Sequence, residues 1–408
     1  MTSSYEALST FIDLTPIFST HEHHREDELY AQLDLSTLFS WSYVGWSGAV
    51  PAGDSTAVER QHWINSMKMN SYYVWLEKAI CTIYGEEEIT AANWDSLSER
   101  IRKAHQDPNY HLQLLRKYAG YQGFLEDAFW NTGTDLGHPD FVTPVYRIDM
   151  WIIGYHPDSL DNDGWNPYRI YGEKITDFNT YEQLFTDELR RRRPSVAALK
   201  CSVAYFRNLR FDEAHRDEAA AVFGREKSSL TEGERNAFGN YMFRLAASVA
   251  GELDLPIQLH TGLAQLSGSS PMLLESVLRD YPGTRFVLFH GGFPWIYETA
   301  ALAHNYPNVY LDINWLPLIS TTAACQALHV YMEVLPRWDK IAWGGDNWTS
   351  EESVGASMAF RFILKKVLAE KVDDGFLRLK DAQQFAERIM YRNAHSIYHI
   401  PLANEDIE

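Results

Sequence analysis

In the C-terminal half of the chain, short apolar runs alternate with longer segments in which apolar residues recur at helical spacing. Short apolar runs in such a pattern indicate buried strands, and the longer periodic segments indicate helices. The expected helices lie at about 236–253, 271–280, 295–305, 321–335, 351–369 and 380–394. Repeated strand–helix units with almost continuously apolar strands are typical of a parallel sheet covered by helices on both faces.

The apolar runs predict eight strands in total, which is the number in a (β/α)8 barrel. They lie at about 14–20, 121–126, 144–150, 195–202, 255–260, 285–290, 308–312 and 340–346. An open, doubly wound sheet is the alternative. The barrel is favoured because chemically active residues end the first, fourth, fifth, sixth and eighth strands, and only a closed ring brings the first strand beside the last.

A segment of mainly helical pattern separates the first two predicted strands. Apolar residues recur there at helical spacing at about 57–80, 90–105 and 110–118. No linker rich in Pro, Gly or Ser sets this segment apart. We therefore expect an α/β TIM barrel formed by residues 1–32 and 119–408, with residues 33–118 inserted between strands one and two as a helical cap.

Aromatic residues make up 14% of the sequence, with 13 Trp and 23 Tyr. Several lie in the predicted insertion, namely Trp41, Tyr43, Trp46, Trp63, Tyr72, Tyr73 and Trp75. They either line a substrate pocket at the barrel mouth or pack the insertion against the barrel or a second copy of the chain. The last alternative makes a homo-oligomer one expectation.

The overall charge restricts the kinds of binding partner that the protein is expected to have. The formal net charge is −19, from 36 basic and 55 acidic residues, which argues against binding to nucleic acid or to an anionic membrane. The three cysteines are far apart and lack metal-site spacing. No signal-peptide pattern and no long apolar run is present. We expect a cytoplasmic protein that acts on a small molecule.

The predicted strand ends carry metal-binding residue types. His21 and His23 follow the first strand, and His260, His290 and Asp346 end three later strands. Side chains two apart on a strand point to the same face, so both members of the His-x-His pair can reach one ion. Imidazoles with a carboxylate suit Zn²⁺, with Mn²⁺ or Fe²⁺ as alternatives. The sequence therefore predicts a site for one or two divalent ions at one end of the barrel.

Two of these strand ends also offer catalytic groups. Asp346 can accept a proton from a metal-activated water molecule and pass it to a leaving group. Lys200, at the end of the fourth strand, should be desolvated, and a neutral amine can react with CO₂ to give a carbamate that bridges two metal ions. An unmodified functional lysine and a purely structural lysine are the alternatives.

The series His-x-His, Lys200, His260, His290 and Asp346 resembles the amidohydrolase superfamily of metal-dependent (β/α)8 enzymes. Several segments look like the branch that contains the amidohydrolase-like domain associated with type I glutamine synthetases, the fluffy-G/nodulin type. They are residues 199–205, 254–262, 289–294, 306–312 and 391–398. The resemblance implies metal-dependent hydrolysis, and it covers about residues 12–25 and 115–400.

Other reactions occur in the same superfamily. Its decarboxylases often carry an acid in place of the first histidine, whereas this chain has His21. Its uronate isomerases keep the His-x-His pair but lack the bridging lysine, so an unmodified Lys200 would bring that class nearer. A catalytically silent regulatory barrel is a third reading, although such a protein has no need of converging metal ligands.

The leading expectation is a hydrolase that cleaves a C–N bond of the amide type in a small, carboxylate-bearing molecule. An arginine at a barrel mouth can bind a carboxylate with two parallel hydrogen bonds. Arg147 on the third strand and Tyr205 and Arg207 after the fourth are therefore predicted to bind substrate, and Trp348 after the eighth is a predicted pocket wall.

Overall fold

The computed structural model describes residues 3–401, and within them eight parallel strands pair in chain order from β1 to β8. The strands are β1 Ile17–Glu22, β2 Tyr121–Glu126, β3 Val142–Arg147, β4 Ala198–Cys201, β5 Ile257–Leu259, β6 Phe286–Leu288, β7 Val309–Asp312 and β8 Ile341–Ala342. Each strand is hydrogen-bonded to the next, and the register places Lys200 between Arg147 and Gln258.

Backbone hydrogen bonds join the two ends of this sheet. Thr20 N donates to Trp343 O at 3.2 Å, and Asp346 N donates to His21 O at 2.8 Å. The chain after β8 therefore lies alongside β1 and completes the ring. The predicted α/β barrel is confirmed.

Buried side chains cover both faces of the barrel strands. Phe18, Leu125, Val145, Ala198 and Val287 form one buried cluster with the C-terminal helix Asn393–Tyr398. A larger cluster lies between the strands and the surrounding helices. Because both faces of the strands are buried, no polar alternation is needed, which explains the continuous apolar runs in the sequence.

The connection between β1 and β2 is mainly helical. Its helices are Asp27–Tyr30, Leu35–Ser40, Tyr43–Trp46, Ala57–Met67, Ser71–Tyr84, Trp94–Ala104 and Tyr110–Leu114, followed by the π-helical turn Leu115–Ala119. Residues 33–118 are called the β1–β2 insertion below. They bury a hydrophobic cluster of their own, which includes Phe39, Ile64, Tyr73, Trp94 and Ile101.

Further helices separate the other strands. The α-helices are Ser3–Leu14 before β1, Asp149–Ile153, Pro167–Tyr171 and Phe178–Arg192 after β3, Arg216–Val222 and Glu232–Glu252 after β4, Glu275–Asp280 after β5, Ile296–Asn305 after β6, Leu316–Ile319 and Thr321–Val334 after β7, and Ser350–Asp373 and Leu379–Glu387 after β8. Short 3-10 helices include Val203–Tyr205 and Pro271–Leu274, and a π-helical turn, Arg388–Arg392, leads into the last helix.

Three local features differ from the expectations. Leu14 ends a helix, so the first strand begins later, at Ile17. The helix predicted over 57–80 is broken before Ser71, because the side chain of Asn70 accepts a hydrogen bond from Tyr73 N and starts a new helix. The third strand, expected at about 144–150, runs from Val142 to Arg147, and the helix Asp149–Ile153 follows it.

Residues 3–401 contain no helix that combines the length and the apolar character required to cross a membrane.

Candidate metal centre

Three side chains converge where the ring closes. His21 and His23 leave β1 on the same face, and their Nε2 atoms lie 3.8 and 3.1 Å from Oδ1 of Asp346. Their donor atoms all lie within 4.8 Å of one another. His21, His23 and Asp346 are 0%, 7% and 4% exposed, so these polar groups have lost most of their water and require partners.

The glycines before Asp346 allow its loop to approach β1 closely. A Cβ atom on Gly344 would lie 2.6 Å from His21 N, and one on Gly345 would collide with the Glu22 carboxylate. Asp346 itself has a φ of 65°, which is a costly conformation for a non-glycine residue. The hydrogen bond from Asp346 N to His21 O holds it there.

A buried carboxylate, Glu22, supports this loop from behind. It points away from the two histidines because it alternates with them along β1. It accepts hydrogen bonds from Ser19 Oγ and Tyr121 Oη, both at 2.7 Å, and from Asn347 N at 2.9 Å. Burial raises the pKa of Glu22 to about 7, and the hydrogen bonds that its carboxylate accepts lower the pKa and so oppose this rise. Glu22 was not among the predicted site residues, and it positions the loop that carries Asp346.

His290 adds a fourth donor, whereas His260 lies one step further away. His290 Nδ1 lies 3.5 Å from Asp346 Oδ2, and its Nε2 lies 2.9 Å from His260 Nδ1. His260 Nε2 lies 2.9 Å from Leu263 O. Both ring nitrogens of His260 therefore contact protein groups. The structure brings His21, His23, His290 and Asp346 together, and His260 reaches them through His290.

The hydrogen bonds determine which ring nitrogens carry protons. Burial lowers the pKa of His260 well below its usual range and that of His290 to about 4, so both rings are neutral. A carbonyl oxygen can only accept, so His260 Nε2 carries the proton that Leu263 O binds. His260 Nδ1 must then accept from His290 Nε2, which leaves His290 Nδ1 bare. The neutral ring of His290 has only one N–H proton, which lies on Nε2. Its Nδ1 therefore has no proton to donate to Asn314 O, which lies 3.3 Å away.

The same reasoning applies to His23. Its Nδ1 lies 2.8 Å from the backbone oxygen of Asp127 and donates to it. The Nε2 atom of His23 then faces the Asp346 carboxylate at 3.1 Å. Both Asp346 oxygens thus face ring nitrogens, those of His23 and His290. Only a cation between them, a proton or a metal ion, makes this arrangement favourable, so the donor set fits a divalent ion.

Lys200 lies beside this group, at the end of β4. Its Nζ is 3.3 Å from His21 Nε2 and 3.9 Å from the centre of the Phe289 ring. The side chain is only 2% exposed, and burial lowers its pKa to about 8 although nearby Asp127 and Asp346 oppose the change. With this pKa, about a tenth of the lysine is a neutral amine at pH 7, and this is the form that can react with CO₂.

The acid Asp127, which follows β2, is a site residue that the sequence reasoning missed. Its Oδ2 lies 3.7 Å from His21 Nε2, and its carboxylate binds the guanidinium of Arg147. Arg147 also binds Asp163 at 2.7 Å. A signal was available, because the strand over 121–126 ends in adjacent acids. Arg147, predicted to bind substrate, is held by two protein carboxylates.

Aromatic rings cover the donors. Trp348 stacks on His23 with a centroid distance of 5.6 Å, and Trp315 meets His290 edge-on at 5.1 Å. Tyr43 and Trp46 from the β1–β2 insertion contact both tryptophans. The insertion therefore reaches the ring layer over the predicted metal ligands.

The two remaining predicted substrate residues have different surroundings. The Tyr205 ring lies 4.5 Å from that of His260, so it borders the cluster. Arg207 is buried and donates to Asn240 Oδ1 at 2.6 Å, which ties its loop to the helix Glu232–Glu252. Arg207 also lines a neighbouring cavity of about 690 Å³, together with residues such as Tyr155, Phe206 and Asn236.

Comparison with known families agrees with this fold and donor set. The family model described as Amidohydrolase matches residues 181–400, more than half of the 408-residue chain. The protein belongs to the amidohydrolase family, whose members are barrel proteins with metal-dependent chemistry.

Among individual relatives, the chain is 33% identical over 162 residues to protein fluG of Emericella nidulans. This match takes in 38% of the chain and 19% of that longer protein. The resemblance to the fluffy-G branch is thereby confirmed.

Solved structures share the fold over nearly the whole chain. A uronate isomerase from Thermotoga maritima has a TM-score of 0.77 at 16% identity and 98% coverage of both chains. A Lactobacillus casei protein provisionally assigned as a metal-dependent hydrolase has a TM-score of 0.71 at 19% identity, covering 96% of this chain and 97% of that one. At such low identity, these similarities establish the fold and leave the reaction open.

The contacts of Arg147 predict a structural effect of its removal. Arg147→Ala should lower the free energy of unfolding by about 3–5 kcal/mol, because Asp127 and Asp163 would lose their shared cation. Denaturant unfolding measures this loss, and Arg147→Lys is the matched control that keeps the charge and should recover part of it. A raised KM with unchanged stability would instead assign Arg147 to substrate binding.

Trp46 and Tyr73 should respond differently, although both lie in the insertion. Trp46 is 57% exposed and Tyr73 is fully buried. Trp46→Ala should raise KM about tenfold, since it removes one aromatic wall, with metal content unchanged. Tyr73→Ala should cost about 3–5 kcal/mol of stability. If Trp46→Ala changes stability or oligomeric state without changing the kinetics, its role is structural.

Proposed function

We propose that this protein is a metal-dependent hydrolase that cleaves an amide-type C–N bond in a small, carboxylate-bearing molecule. His21, His23 and Asp346 would hold a divalent ion with His290 beside them. Zn²⁺ is the first candidate, and Mn²⁺ and Fe²⁺ are alternatives. The observation that carries the proposal is the Asp346 carboxylate facing ring nitrogens of His23 and His290 at 3.1 and 3.5 Å.

A divalent ion bound there would polarise a substrate carbonyl and make a water molecule more acidic. Asp346 is the group that moves the proton. Its carboxylate is buried among imidazoles, and it can accept a proton from the attacking water and deliver it to the departing nitrogen. His290 and His23 orient the carboxylate, and the loop that Glu22 supports keeps it at the end of β1.

The surroundings of the centre favour a substrate with a planar or apolar part. Tyr43, Trp46, Trp315 and Trp348 form a layer of rings over the histidines, which limits the access of water and strengthens the electrostatic interactions beneath it. For a substrate carboxylate, Lys200 supplies positive charge in its protonated form. As a carbamate, it would instead add a third kind of metal donor to the imidazoles and the carboxylate.

An isomerase acting on a sugar acid is the second candidate. It is favoured by the contacts of His260, whose two ring nitrogens bind Leu263 O and His290. Because both ring nitrogens of His260 are occupied, the side chains that remain to hold an ion are mainly the His-x-His pair and Asp346. The shared fold of the Thermotoga maritima uronate isomerase is compatible with this reading.

The reaction can be identified with a panel of substrates. We expect amine release from N-acyl or γ-glutamyl compounds, no CO₂ from aromatic acids and no ketose from uronates. Asp346→Asn should lower kcat by about 10²–10⁴-fold, because the proton acceptor is lost, while His329→Ala, whose ring pairs with Glu370, serves as the control. Ketose formation would establish the isomerase, and CO₂ release would establish a decarboxylase. A protein that holds no metal and gains no activity from added Zn²⁺ or Mn²⁺ would be a silent barrel.

Lys200 can be tested for carbamylation directly. We expect ¹³C NMR of protein reconstituted with Zn²⁺ under ¹³CO₂ to show a carbamate resonance that disappears in Lys200→Ala. Short carboxylic acids should then restore part of the activity of that variant, because they replace the missing carboxylate. Buried Lys340, which binds the carbonyls of Ala303 and Tyr306, is the matched control. A spectrum without the resonance, and no rescue, would show that Lys200 acts as an amine.

A further inference from the structure

A second group of metal-binding side chains lies outside the centre described above. His111 Nε2 lies 2.7 Å from Asp27 Oδ1, and His138 Nε2 lies 3.0 Å from both oxygens of the same carboxylate. The three donor atoms lie within 4.8 Å of one another. Two imidazoles therefore point their Nε2 atoms at one carboxylate.

The fold brings these residues from three separate places. Asp27 begins the helix Asp27–Tyr30 directly after β1, His111 lies on Tyr110–Leu114 near the end of the insertion, and His138 lies in the connection between β2 and β3. No two of them are close in sequence, so local structure does not account for their meeting. The group joins the end of the insertion to the loops that follow β1 and β2. These loops lie at the end of the barrel that carries the predicted metal ligands, which is called the catalytic face below.

The protonation states suit a divalent cation. Although burial alone would raise it, hydrogen bonds from His111 and His138 keep the pKa of Asp27 below its ordinary value. Burial lowers the pKa of His111, so this imidazole is neutral near pH 7. Without an ion, His111 Nε2 carries the proton that the Asp27 carboxylate binds. Among the described residues, its buried Nδ1 atom has no hydrogen-bond partner. Nothing therefore prevents the proton from moving to Nδ1, and this move leaves Nε2 free for an ion.

The spacing requires only a small adjustment. Ligand bonds of about 2.0–2.2 Å in a tetrahedral zinc site separate neighbouring donors by about 3.3–3.5 Å, compared with 2.7 and 3.0 Å here. The side chains of Asp27 and His138 are 22% and 23% exposed, so an ion and a water ligand can enter from solvent. Ligands that are partly exposed can separate without disturbing the buried His111.

Tyr30 connects this group to the predicted metal centre. Its ring stacks on His111 with a centroid distance of 4.4 Å, and its hydroxyl donates to Trp348 O at 2.9 Å. Trp348 in turn stacks on His23. We propose that Asp27, His111 and His138 bind a second divalent ion of the Zn²⁺ type, which fastens the insertion to the catalytic face and takes no part in the reaction.

Metal stoichiometry after reconstitution with Zn²⁺ and gel filtration tests this site. The double variant His21→Ala/His23→Ala disables the first centre, and it should still retain about one equivalent of zinc by mass spectrometry of the metal. Adding His138→Ala or Asp27→Asn should remove that equivalent. This readout is independent of the proposed activity, so failure of one proposal leaves the other standing.

His329→Ala in the same double variant is the matched control. His329 also pairs with a carboxylate, Glu370 at 2.9 Å, but residues 3–401 place no second imidazole beside that acid, so zinc content should not change. The melting temperature should rise with added Zn²⁺ in the double variant and not after His138→Ala or Asp27→Asn. Zinc content and melting temperature that are the same with and without these substitutions would overturn the proposal.

Discussion

The structure depends on Asp346, where barrel closure and the chemistry of the site meet in one residue. Its backbone N–H binds His21 O across the seam between β8 and β1, while its carboxylate faces His23 and His290. β8 has only two residues, Ile341–Ala342, so few ladder hydrogen bonds hold this end of the ring. The support that Glu22 gives to the following loop compensates for the short strand.

Buried acceptor groups lie close together in the donor cluster, and this has a cost for the folded state. Buried acceptors that face one another are unfavourable unless a cation lies between them. Binding of the proposed metal ion would therefore be linked to folding, because the ion would bind the folded site and not the extended chain. Burial lowers the pKa of the lysine beside His21 to about 8, so this side chain keeps most of its positive charge at pH 7 but less than an exposed lysine does.

Much of the fold could be predicted because parallel barrel strands are buried on both faces. Each strand therefore appears in the sequence as a continuous apolar run that ends at a polar residue. That pattern located His21, His23, Lys200, His290 and Asp346. It could not show that His260 binds Leu263 O and His290, since ring orientation is set by packing. Asp127 was overlooked although its strand was found, and the meeting of Asp27 with His111 and His138 depends on the three-dimensional path of the insertion.

The separate hydrophobic cluster of the β1–β2 insertion has an evolutionary consequence. Because residues such as Phe39, Tyr73 and Trp94 are buried against one another within it, the insertion can change its outer residues without repacking the barrel strands. Tyr43, Trp46 and Tyr72 are the part of it that contacts the two tryptophans over the histidines. Proteins descended from a common ancestor could therefore keep an identical set of metal ligands and diverge in the molecules they accept.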